Sequence, residues 1–255
     1  MIKHYSKMER DTLIAQYLLH ESKCFNSIIP EFGNIIGPGH LIVAGATTGS
    51  GKSHVALAEA LNAIHHGGWK VLYIHNEMTD AQLIKMAAEY GYTDEELDNF
   101  IYFDETNEYL HIDKDIAEAV SLGCNFIIID HLDIANLTDD SGKQGYEVLQ
   151  RFLSIIDSIR KENTELCFYI FSQLNGRYNK NQSMDYTISN LDFANCHSLP
   201  NKADFSYVFC KFESNGGFGT TSSSVQFQVR KDRYNVSIKR DFTKNFDYQT
   251  GGVIK

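Results

Sequence analysis

The run Ala46, Thr47, Thr48, Gly49, Ser50, Gly51, Lys52, Ser53 has the residue types and the spacing to hold a triphosphate. Glycines let main-chain N–H groups turn toward an anion, and a helix opening beside them adds partial positive charge. Lys52 has the reach to meet β- and γ-phosphates, and the Ser53 hydroxyl is a hard oxygen ligand for Mg²⁺. His54 closes the stretch assigned to the nucleotide. Alanine stands at the first position where glycine is usual, which a negative φ tolerates. The flanks separate this reading from an ordinary strand–helix turn: apolar Leu41–Ala44 precedes the loop and helix-like Val55–Ile64 follows it.

Other residues stand where chemistry would need them. Asp130 ends the apolar run Phe126–Ile129, at the carboxyl end of a buried strand, where it could hold Mg²⁺ or merely cap a helix. Glu77 follows the strand-like Val71–His75; it could polarise an attacking water or only compensate a helix dipole. Gln173 follows Leu166–Phe171, and its amide can touch a phosphate or remain solvated. Lys231 and Arg233 are cations at i and i+2 of an extended segment, so they face one side. They fit fingers reaching a neighbour's nucleotide, or solvated charges guarding a sheet edge.

Positioning these groups requires alternating strands and helices. Apolar runs at Leu41–Ala44, Val71–His75, Phe100–Phe103, Phe126–Ile129 and Leu166–Phe171 are separated by helical patterns, with Thr79 and Thr93 as N-caps. That order predicts an α/β fold with a mostly parallel central sheet covered by helices on both faces. Phe205–Cys210, Val225–Val229 and Val236–Arg240 follow without helices, predicting an antiparallel extension at one edge, with Ser214–Ser224 as a connecting loop. Glu9–Glu21 reads as a helix with Leu13, Ile14, Tyr17 and Leu18 on one stripe, packing on its own core or on a neighbour. The expected division is a linker-like segment 1–28 and one ATPase domain 29–255.

Composition narrows the class. With 255 residues, 43% of them hydrophobic, the chain can bury one large core. It lacks any stretch of about 18 apolar residues that would span a membrane. Its start lacks the apolar core of a secretion signal, so the expected compartment is cytoplasmic. Five scattered cysteines without a C-x-x-C pair argue for thiols rather than disulfides or zinc. A net charge of −10 opposes nucleic-acid binding over the whole surface but permits a local basic strip.

In order and spacing these segments resemble the motor domain of DnaB-type replicative helicases, among the RecA-like ATPases. The resemblance runs from about Cys24 to the C-terminus. Besides the phosphate loop it rests on Asn76-Glu77-Met78, where the family has Leu-Glu-Met, on Ile101–Thr106, and on Ile127–Leu132. It continues through Phe171–Leu174, through Lys202–Phe205 (akin to Gln-Asp-Ala-Asp), and through Lys231–Asn235 (akin to Lys-Gln-Arg-Asn). It implies ATP and Mg²⁺ at the seams of a ring, normally a hexamer. Lys52 and Ser53 would hold phosphates and metal, with Asp130 behind the metal; Glu77 would activate water and Gln173 couple the γ-phosphate to the DNA-facing loop. Lys231 and Arg233 would complete the neighbour's site. The N-terminal helix would dock on the adjacent subunit.

Single-stranded DNA would thread the ring past loops at about Leu137–Gly145 and Arg177–Asn190, offering Lys143, Arg177 and Lys180. A primase or loader is a further implied partner. The family's separate N-terminal domain has no room in this length, so the expectation is a compact, isolated motor: a phage or mobile-element helicase, or a relative whose ATPase drives something other than unwinding. Three functions compete: a 5′-to-3′ ring helicase; a recombinase- or clock-protein-type ATPase assembling on DNA or protein without unwinding; and a non-enzymatic nucleotide-binding module. Glu77, Gln173 and Arg233 together disfavour the last.

Overall fold

A computed structural model of the chain describes residues 4–105, 112–132, 146–174, 198–216, 220–247 and 252–254. Its centre is a nine-stranded sheet in the order β3-β2-β4-β5-β1-β6-β7-β8-β9. The strands are β1 Leu41–Ala46, β2 Lys70–His75, β3 Ile101–Glu105, β4 Cys124–Leu132, β5 Cys167–Gln173, β6 Phe205–Gly216, β7 Thr220–Asp232, β8 Asp241–Asp247 and β9 Gly252–Ile254. From β3 through β6 neighbours run parallel; from β6 through β9 they run antiparallel. The expected parallel sheet with an antiparallel edge is therefore the observed one.

Strand alternation produces two cores. Ile42, Ala44, Val71, Tyr73, Phe126, Ile128, Tyr169 and Phe171 point to one face, with α2 (Lys52–Gly67) and α3 (Asp80–Glu89) over them. Leu41, Val43, Leu72, Ile74, Ile127, Ile129, Phe168 and Ile170 point to the other, under α5 (Ile112–Ser121) and α6 (Tyr146–Glu162). Each large apolar side chain so buried contributes roughly 1.5–3 kcal/mol. The remaining helices are α1 (Lys7–Ser22), the short α4 (Asp94–Asn99) and α7 (Leu199–Lys202). Thr79 and Thr93 cap α3 and α4 with complete capping boxes, as their spacing predicts.

Two expectations are corrected. Val236–Arg240 is not a strand. The Asp232 carboxylate accepts from the Val236 and Ser237 amides at 3.2 and 2.9 Å and folds the chain into a turn, with Asn235 at φ 54°; the strand begins at Asp241. Ser214–Ser224 is not a loop: β6 and β7 pair out to Gly216 and Thr220, because the ladder is made by main-chain groups that polar residues supply as well as apolar ones.

Helix α1 buries no residue. Its Leu13, Ile14, Tyr17 and Leu18 are each about half exposed, so its apolar stripe is not packed on the chain's own core. Among the described residues no helix is long and apolar enough to cross a membrane.

Candidate functional site

Parallel strands bring the chemically equipped residues to one end of the sheet. His75 on β2 pairs with Asp130 on β4, and Ala46 on β1 pairs with Gln173 on β5. In the spatial order β2-β4-β5-β1 this sets Glu77, Asp130, Gln173 and the Ala46–Ser53 loop side by side at the carboxyl edge, where such sheets meet ligands.

The loop has the form an anion requires. Ala46 is a buried strand residue without positive φ, so its methyl is accommodated. Gly49 and Gly51 lie at φ 75° and 90°, a left-handed conformation that a side chain would strain. Thr47 and Ser50 hydroxyls are 2.6 Å apart, and buried Ser50 accepts from the Lys211 amide at 3.2 Å, tying the loop to β6. Gly51 stands at the N-cap of α2 without a side-chain cap, and the first helical bond runs from Val55 N–H to Gly51 C=O. The amides of Lys52, Ser53 and His54 therefore precede the helical ladder and are offered to a ligand. Lys52 is buried and makes no ion pair among the described residues. The His54 ring packs on Tyr90 at 5.6 Å, and burial holds its pKa below the ordinary value.

Asp130 is 4% exposed; its Oδ2 accepts from the Tyr73 phenol at 2.7 Å, while Oδ1 is buried with no hydrogen-bond partner among the described residues. An orphaned carboxylate oxygen at the strand edge that carries the Ser53 loop fits Mg²⁺, which takes one or two protein oxygens and leaves the rest to phosphate and water. No cluster of three or more His, Cys, Asp or Glu forms a separate metal site among the described residues. β4 continues past Asp130 to Leu132, so this acid is not a helix cap.

Glu77 stands on the turn between β2 and α3, about half exposed, with Oε2 3.5 Å from His131 Nδ1. Asn76 donates to the His131 carbonyl at 3.1 Å, joining the ends of β2 and β4. His75 reaches the Met78 carbonyl and the Asp80 carboxylate at 2.9 and 2.8 Å, fixing that turn from beneath. Gln173 donates from Nε2 to Thr48 Oγ1 at 2.7 Å, so it contacts the phosphate loop directly.

Lys231 and Arg233 are elsewhere. Asp204 is 1% exposed at the start of β6 and accepts from the Leu41 amide at 2.9 Å, from Arg160 at 2.5 Å, and from Arg233. Lys231 donates to the Asn201 carbonyl at 2.5 Å. Leu41 opens β1 and Ala46 closes it, so a strand length of about 17 Å separates Arg233's anchor from its own phosphate loop. A cleft of about 890 Å³ opens at this far end, lined by Tyr17, His20, Arg160, Lys202, Arg233 and Tyr234 among others. Lys143, Arg177 and Lys180 lie outside the described residues.

The sequence reading missed Tyr73 and Asp204 as site residues. Tyr73 sits in a strand where an aromatic reads as core, and Asp204 was only one letter of a loosely matched segment. No local signal announces either partner, since Tyr73 and Asp130 are 57 residues apart.

No family model matches the chain, and no curated protein matches it. Among solved structures 513 chains match, so shape alone does not select one activity. One is a KaiC-like protein from the hyperthermophilic archaeon Pyrococcus horikoshii OT3, with a TM-score of 0.63 at 16% identity, covering 91% of this chain and 97% of that one. The chain has the RecA-like α/β fold.

Proposed function

We propose that the chain binds ATP with Mg²⁺ on the Ala46–Ser53 loop and hydrolyses it at a seam between copies of itself, as an assembling ATPase that works on DNA or protein. The observation that carries this is the coincidence of an uncapped helix N-terminus, a buried lysine and an orphaned carboxylate oxygen at one strand edge. Amides of the first turn of α2 would hold phosphate oxygens, and Lys52 would follow the charge toward the γ-phosphate. Ser53 and Asp130 would hold Mg²⁺, which when bound supplies charge neutralisation on the phosphate oxygens. Glu77, exposed on its turn, would take the proton of the attacking water. Gln173 would sense the triphosphate through Thr48.

The distance from Arg233 to its own loop supports action on a neighbouring copy rather than in cis. The cleft beside Arg233 has the volume of a small-molecule site. The exposed stripe of α1 supports self-assembly, a hexamer being what the helicase resemblance implies. Lys52→Ala should reduce nucleotide affinity or turnover at least about 100-fold. Undiminished hydrolysis by that variant overturns the reading.

A second reading, a 5′-to-3′ ring helicase on single-stranded DNA, is supported by the ordered set Asn76-Glu77-Met78, Phe171-Ser172-Gln173 and Lys231-Asp232-Arg233. The shape shared with a KaiC-like protein and the net charge of −10 support the first instead. Strand separation on a fork with a 5′ tail distinguishes them: ATP turnover without unwinding favours the assembling ATPase.

A further inference from the structure

Tyr73 is wholly buried on β2, its ring packed on Phe103 at 5.8 Å and near His75 at 6.3 Å. Phenylalanine would fill that space equally well, and a buried hydroxyl is costly unless bonded. This one is bonded: it donates to Asp130 Oδ2 at 2.7 Å. A carboxylate can only accept, so Tyr73 must donate to Asp130. With Oδ2 held by the phenol, Asp130 keeps Oδ1 unpartnered among the described residues.

We infer that Tyr73 is a positioning residue for the metal–nucleotide site, holding Oδ2 of Asp130 with its hydroxyl so that Oδ1 is left for the metal. The inference rests on the proposed Mg²⁺–nucleotide site and adds to it a residue that touches neither metal nor nucleotide. Groups that orient metal ligands typically contribute a factor of 10–100 in metal affinity.

The test is Tyr73→Phe, which deletes one oxygen. Mn²⁺ binding is measured by electron paramagnetic resonance on the full chain with ADP, alongside binding of a fluorescent ADP in EDTA. The expected result is Mn²⁺ affinity weakened about tenfold, with metal-free nucleotide affinity within about twofold of wild type. In a double-mutant cycle with Asp130→Ala, Tyr73→Phe should cost little further Mn²⁺ affinity once Asp130 is gone. A variant with a lowered melting temperature but wild-type Mn²⁺ affinity overturns the inference, because a merely structural hydroxyl predicts that pattern. If the variant does not fold, wild type carries the test. A slowly exchanging Tyr73 hydroxyl proton should be visible by NMR and should shift when Mg²⁺ joins bound ADP; its absence or immobility overturns the inference. Wild-type protein that binds neither ADP nor Mn²⁺ overturns the proposed function along with it, whereas wild-type binding matched by Tyr73→Phe overturns only the role of Tyr73.

Discussion

Glu77 and Lys52 show how differently two charged residues are treated at one strand edge. Lys52 is buried at the opening of α2, where its charge is closely confined. Glu77 is about half exposed, with His131 3.5 Å away at the strand edge, so water reaches it. A proton acceptor needs that access, and a phosphate clamp needs the opposite. Glu77→Gln should therefore leave nucleotide affinity near wild type while lowering kcat by about 10²–10⁴-fold. Comparing ATPase turnover with equilibrium binding of a labelled nucleotide checks this, and loss of binding in parallel with turnover would assign Glu77 to the cradle instead.

Among the elements, α2 carries an unusual burden for the helix that opens the phosphate loop. Its Glu59 is wholly buried and accepts from the Ser27 hydroxyl, the Ile28 amide at 3.2 Å and Asn62 at 3.2 Å, so it pins the segment before the sheet onto the helix. Burial outweighs these donors and pushes the Glu59 carboxyl up to about 7. The folded chain thus keeps a proton that the unfolded chain releases at ordinary carboxylate values. Its contribution is complete below that ordinary value and is lost as pH rises toward 7, on the order of 3 kcal/mol across the window. Urea midpoints followed from pH 4.5 to 8 should fall with rising pH more steeply in wild type than in Glu59→Gln, which has no proton to lose. Equal slopes would show that Glu59 is charged in the folded state.

For the whole molecule, the separation of the two ends of β1 matters most. The phosphate loop closes β1, and the Asp204 carboxylate that gathers Arg160 and Arg233 opens it. Arg233 is gathered a strand's length from the Ala46–Ser53 loop of its own chain, so the proposed function has it serve a second copy. Arg233→Ala should keep ATP binding and lose about 10³-fold in turnover. Mixed with Glu77→Ala protein, it should regain part of the activity, because some hybrid seams then pair an intact Glu77 with an intact Arg233. Assembled mixtures with no regain would remove the role in trans.

The sequence by itself determined strands β1 to β5 and the helical stretches between them, because burial on two faces or one stripe is written in local periodicity: Val43 and Ala44 must part to opposite faces whatever lies beside them. It also marked out the loop between β1 and α2, whose Gly49 and Gly51 act through main chain that is contiguous in sequence. Where one side chain bends the chain, as Asp232 does before Asp241, periodicity misleads. Only the tertiary structure decided that Gln173 meets Thr48, that Tyr73 holds Asp130, and that Arg233 is gathered by Asp204 a strand's length from Lys52. Those contacts depend on strand order and register, which are set by packing between segments many residues apart and leave no local trace.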